Sequence, residues 1–201
     1  MRFFLILFLS LFLFSSCVKR ADRVNGSTSS KDVEFMEGIY TKAQQAFDEG
    51  NYLRAFYLHE KNCGMGYSKS CNRIAYQHYT GKLIVEDHQK AFEFYQQSCK
   101  MNNNYGCFNL ANMLRLGQGT KTREPEIAFT HYKNNCTDQC YRSCFNLGVM
   151  YFLGHGTKKD KKRAKKFFKK ACNNGLQVGC DNLEEIKNNK IKYIESSDAD
   201  K

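Results

Sequence analysis

Cysteine offers this chain its widest choice of chemistry. A thiolate can bond a second sulfur, hold a metal, attack an electrophile or carry an acyl chain. There are ten. Cys17 closes an apolar N-terminal run, and the other nine are Cys63, Cys71, Cys99, Cys107, Cys136, Cys140, Cys144, Cys172 and Cys180. Eight of these nine form pairs separated by eight positions: 63/71, 99/107, 136/144 and 172/180. First members recur at intervals of 36, 37 and 36, and second members do the same. Cys140 falls midway between Cys136 and Cys144, outside the pattern.

Zinc needs convergent nitrogen and sulfur ligands, and His131 with Cys136, Cys140 and Cys144 contains such a set. Two of those cysteines, however, sit in the eight-spaced columns. No C-x-x-C occurs, so the redox signature is missing. The other histidines (His59, His78, His88 and His155) follow no ligand spacing. An acyl-transferring serine needs a neighbouring base and an oxyanion hole. The one S-x-x-K is Ser16-Cys17-Val18-Lys19, with no S-D-N or K-T-G elsewhere. Catalytic residues therefore stay unknown, and the sequence implies no metal and no cofactor.

The elements that position the cysteines repeat with them. Ala55, Ala91, Ala128 and Ala164 each precede the first cysteine of a pair by eight. Ile74, Leu110 and Leu147 follow the second cysteine by three, and the small residues Ala75, Ala111 and Gly148 by four. Gly81, Gly117 and Gly154 follow it by ten. A fixed period of this length marks a solenoid of supersecondary units. Each unit reads as two helices. The first follows the second cysteine, as in FNLANMLRLG (108–117), and stops at glycine. The second runs through alanine to the next cysteine, with Ala164, Phe167, Phe168 and Ala171 on one face. Pro125 stands where such a helix begins, a position that needs no donor. The fold class is all-α, an αα-hairpin repeat solenoid.

The N-terminus predicts export. Arg2 precedes Phe3 to Phe14, where everything except Ser10 is Phe, Leu or Ile, and Ser15, Ser16 and Cys17 follow. A basic residue, a short apolar run and small residues make a secretory signal, too short to span a membrane. Small residues before Cys17 resemble a bacterial lipobox, with Cys17 acylated and Phe14 as a departure from the usual residue. Ten cysteines behind a signal suit an oxidising compartment. We divide the chain into a signal (1–17), a flexible linker (18–33), a helical repeat domain of about four and a half repeats (34–192) and a polar tail (193–201).

The run LGVMYFLGHGTKKDKKRAKKFFKKAC (147–172) resembles the Sel-one-like repeat, a relative of the tetratricopeptide repeat. The paired cysteines narrow this to something similar to the Helicobacter cysteine-rich proteins. The second unit departs at Leu83, where the motif has its second glycine. Cysteines in neighbouring stacked units lie about 10 Å apart, beyond the ~7 Å reach of a disulfide. The helix-to-helix turn within each pair meets that limit. We expect Cys63–Cys71, Cys99–Cys107, Cys136–Cys144 and Cys172–Cys180, leaving Cys140 as a thiol; alternative pairings among 136, 140 and 144 stay open.

Stacked helix pairs leave an inner groove lined by first helices. Asn72, Asn109 and Asn146 near the helix starts, with Tyr76 and Asn112 further along, are expected to face a ligand there. The expected function is a secreted or lipid-anchored scaffold in the cell envelope. It would bind a protein, a peptide or an envelope polymer, and reach the membrane through the lipid anchor. The resemblance implies β-lactam hydrolysis or penicillin binding as the alternative. The charge of +11 is uneven: nine of the thirteen residues from Lys158 to Lys170 are Lys or Arg. That run reads as the solvated face of an amphipathic helix or as an attraction to an anionic surface. Nucleic acid is not expected as a partner of an exported chain.

Overall fold

The structure is a computed structural model that describes residues 29–191. The signal, Cys17, Ser16, Lys19 and the tail from 192 lie outside them. The described residues form nine α-helices and no strand, closed by a short 3-10 turn. First helices of the repeats are α1 (Ser30–Asp48), α3 (Ser68–Thr80), α5 (Asn104–Leu116), α7 (Tyr141–Leu153) and α9 (Gln177–Glu185). Second helices are α2 (Tyr52–Gly64), α4 (His88–Lys100), α6 (Pro125–Asn135) and α8 (Lys161–Asn173). Each packs chiefly on its neighbours in sequence, the arrangement of a repeat solenoid.

Local chemistry sets the boundaries. Gly81, Gly117 and Gly154 cap α3, α5 and α7 in the left-handed region, where a side chain would be strained. Asp87 and Asp160 start α4 and α8 by accepting from the backbone N–H three residues on. Ser29 and Asp32 form a reciprocal capping box, so α1 begins at Ser30. The expected linker boundary at residue 33 is thereby corrected: its last four residues are helix, because this serine–aspartate pair satisfies the first donors.

The repeat columns form the core. Ala91, Ala128 and Ala164 are fully buried, and Ala55 nearly so. Four positions later the second helices place His59, Tyr95, Tyr132 and Phe168 into the same interior. The small column lets these rings approach: a Cβ on Gly148 would lie 2.8 Å from the Phe168 ring. The second glycine of the motif has a related cause. A Cβ on Gly119 or Gly156 would meet the backbone carbonyl of His88 or Pro125 at 2.3 or 2.2 Å. The loop after a first helix thus rests on the start of the preceding second helix.

Candidate functional site

Sulfur comes first. Cys63–Cys71, Cys99–Cys107, Cys136–Cys144 and Cys172–Cys180 are joined, with Cα separations of 4.4–4.7 Å. Each bridge ties the end of a second helix to the start of the next first helix. Gly66, Asn102 and Gly175, three residues after the first cysteine, turn the chain with positive φ. The third unit turns differently. There the Cys140 N–H donates to Thr137 Oγ1 at 3.1 Å and to the Thr137 carbonyl at 3.2 Å. Cys140 occupies the position of Tyr67, Asn103 and Leu176 in the other units and is buried beneath the turn. His131 does not join it: its Nδ1 lies 3.9 Å from Cys99 Sγ, one unit away. No group of three or more metal-ligating side chains occurs among the described residues.

Beside each disulfide runs a second set of pairs that the sequence reading missed. The residues immediately before the two cysteines are Asn62 and Ser70, Ser98 and Gly106, Asn135 and Ser143, Ala171 and Gly179. Asn62 Nδ2 donates to Ser70 Oγ at 3.0 Å and to the Met36 carbonyl at 2.9 Å. Asn135 Nδ2 repeats this toward Ser143 Oγ and the Asn104 carbonyl, both at 2.9 Å. Ser98 Oγ donates to the Ser68 carbonyl at 2.9 Å, and Gly106 leaves it room. One polar side chain therefore clasps its own hairpin and, where it is Asn, the next one. The visible signal was a complementary size pattern, Asn with Ser and Ser or Ala with Gly.

One pair resembles a nucleophile with its base: His59 Nδ1 lies 3.3 Å from Ser70 Oγ. Ser70 is fully buried, and its oxygen also accepts from Asn62. Burial, then Arg73, holds the His59 pKa down at about 4. A neutral imidazole buried in an aromatic column serves packing, and no substrate reaches this serine.

The first helices repeat one surface. Counted from the second cysteine, position −2 holds Lys69, Tyr105 and Arg142, and position +2 holds Arg73, Asn109 and Asn146. Position +5 holds Tyr76, Asn112 and Val149. Asn112 Oδ1 accepts from Tyr132 Oη at 2.6 Å and from Asn146 Nδ2 at 3.1 Å, joining α5, α6 and α7. Arg115 stands at the same hydroxyl; burial pushes the Tyr132 pKa up, and Arg115 pulls against it. Toward the N-terminus, Lys69 Nζ pairs with Glu37 at 3.1 Å, Tyr67 also bonds Glu37, and Arg73 Nε donates to Tyr40 Oη at 3.4 Å.

Of the five residues expected here, Asn112 and Asn146 meet directly, and Tyr76 is half-buried in the same column as Asn112. Asn109 is buried beside them. Asn72 is half-buried and stands at +1, the column of the core residues Phe108 and Phe145, with its Oδ1 sealed from solvent without a partner. It lies one residue out of register with Asn109 and Asn146.

Three segments, 68–103, 104–134 and 142–176, match the Sel1 repeat, together about half of the chain. No curated protein matches. Among solved structures, a Sel1 repeat protein from Oxalobacter formigenes is similar at 20% identity and a TM-score of 0.66, covering 72% of this chain. This chain spans 58% of that protein's length. Helicobacter pylori cysteine rich protein B is 22% identical, with 78% of this chain and 98% of that one covered and a TM-score of 0.49. A protective antigen of uropathogenic Escherichia coli displaying an SLR fold is 15% identical over 77% of this chain and 42% of its own, with a TM-score of 0.46.

Proposed function

The chain belongs to the Sel1 repeat family, and on that premise we propose that it is an exported, lipid-anchored scaffold that takes a protein or peptide partner along its first-helix face. Asn112 carries the reading. Both of its bonds fall on Oδ1, so its two N–H donors remain uncommitted among the described residues. They stand in a row of polar and aromatic side chains that recurs from unit to unit. A peptide backbone offers acceptors and donors at regular spacing, which amide side chains match. Tyr105, 40% exposed on the same face, adds apolar area with few rotors to order. Export is supported by the apolar run behind Arg2 and by the oxidising compartment that four disulfides need. The anchor rests on Cys17.

A photo-crosslinking residue at Tyr105, compared with one at the exposed Lys133 of α6, tests the face in the producing cell. A discrete adduct at 105 and none at 133 is expected. Equal capture at both positions contradicts a face-specific partner. Cys17→Ala should shift the protein from the membrane fraction to the soluble one; unchanged fractionation contradicts the anchor.

A further inference from the structure

The second helix α8 breaks the charge rules that the other second helices keep. Ala164, Phe168 and Ala171 pack inward, and Lys162, Lys165, Lys166 and Lys169 form an exposed stripe at i, i+3, i+4 and i+7 on the opposite side. Lys158, Lys159 and Lys161, also exposed, extend it into the preceding loop. The basic residues with carboxylate partners flank the stripe: Arg163 with Asp160 at 3.1 Å and Lys170 with Asp138 at 3.3 Å. Among the described residues the four stripe lysines have no ion pair.

This arrangement opposes helix formation. Lys161 and Lys165, Lys162 and Lys166, and Lys165 and Lys169 are like charges one turn apart, which repel. Lys161, Lys162 and Arg163 crowd the first turn, where the helix dipole disfavours cations; the N-cap Asp160 offsets Arg163, while Lys161 and Lys162 have no ion pair among the described residues. The other second helices achieve the same packing with mixed signs: Glu60 with Lys61, Glu93 with Lys90 and Lys100, Glu126 with Lys133. A stripe that weakens its own helix and adds nothing to the core has its use outside the fold.

We infer that the lysine stripe of α8 is a docking surface for a membrane of anionic phospholipid headgroups. Ammonium groups are hydrated point charges, suited to phosphates at many positions rather than to one bidentate ligand. The stripe extends about 10 Å along a helix at 1.5 Å per residue and is convex, so it fits a broad surface. It offers no ring for a nucleic-acid base to stack on: Phe168 is buried, and Phe167 is stacked on Tyr151 at 5.6 Å. What is left is attraction to a sheet of negative charge, which a juxtamembrane lysine cluster feels at close range. Docking through α8 uses the second-helix layer and keeps the first-helix face open. The inference stands whether or not that face takes a partner.

The test is co-sedimentation of the full chain with vesicles of phosphatidylcholine alone and of phosphatidylcholine with phosphatidylglycerol. The quantity read is the gain in partitioning caused by the anionic lipid, which cancels any contribution of the N-terminal run. Each lysine near the surface is worth about fivefold, so K162Q/K165Q/K166Q/K169Q should lose about a hundredfold or more of that gain. Gln matches Lys in helix propensity, and an unchanged circular dichroism melt confirms the fold. The control K61Q/K90Q/K100Q/K133Q removes equal charge from α2, α4 and α6 and should keep most of the gain. Salt at about 1 M should abolish it. Equal losses in the two variants, persistence in high salt, release by inorganic phosphate at matched ionic strength, or tighter retention on duplex DNA would each overturn the inference.

Discussion

Asn135 Nδ2 lies 2.9 Å from Ser143 Oγ, and each residue immediately precedes one cysteine of the Cys136–Cys144 bridge. The covalent staple and the polar clasp therefore join the same two helices at adjacent positions. The clasp also reaches back to the Asn104 carbonyl, so three consecutive helices meet at one buried amide. Asn135→Ala takes this donor from the buried Ser143 hydroxyl and leaves the Asn104 carbonyl with its helical bond alone, which costs about 1–3 kcal/mol. A fall in the urea midpoint of that size, with an unchanged slope, is the expected result. Ala171→Ser, at the equivalent place without a clasp, should show no such loss.

Gly148 carries a packing prediction. Its missing side chain is filled by the Phe168 ring, with a virtual Cβ 2.8 Å away. Gly148→Ala should destabilise the fold by about 1–3 kcal/mol through overpacking, despite alanine's better helix propensity. Phe168→Leu in the Gly148→Ala background should recover part of that loss. Thermal melts of the two variants decide it.

Each disulfide closes a short loop. In the chain-entropy account this is worth roughly 2.5 kcal/mol at 25 °C. Cys172→Ala with Cys180→Ala should lower stability by about that much and leave the helix content intact. The same double change at Cys99 and Cys107 also frees His131 from its sulfur neighbour. Denaturation curves of the two double variants provide the comparison.

Acid should weaken the fold through histidine. His59 is held near 4 against an ordinary 6.5, chiefly by burial. The unfolded chain therefore takes up a proton as pH falls below 6.5, and the folded chain does so only near 4. The stabilisation is complete above 6.5 and is lost between 6.5 and 4, on the order of 3 kcal/mol. Burial also lowers His78 and His131, with the same sign. Urea midpoints should drop across that window, and His59→Gln should flatten the drop.

Much of this was legible because repeats write local rules several times over. Gly81, Gly117 and Gly154 announce helix ends, and the cysteine and alanine columns fix the register from either side. The start of α1 was readable too, in Ser29 and Asp32 at capping-box spacing, but a polar stretch without apolar period hid it. Faces were harder. Asn72 and Asn109 look alike from the helix start, yet one residue of offset turns the first into the core column of Phe108. The contact of His131 with Cys99 crosses 32 positions, and no local signal reports it. Cys140 is intelligible only once the turn is seen, as the residue that fills the place of Tyr67 and Asn103.

The pairing of the cysteines tests the account most directly. Tryptic and Asp-N peptides of the non-reduced protein, mapped by mass spectrometry after alkylation in denaturant, should show Cys63–Cys71, Cys99–Cys107, Cys136–Cys144 and Cys172–Cys180, with Cys140 alkylated. A bridge between cysteines of different pairs, or Cys140 linked to Cys136 or Cys144, would contradict a solenoid stapled helix to helix.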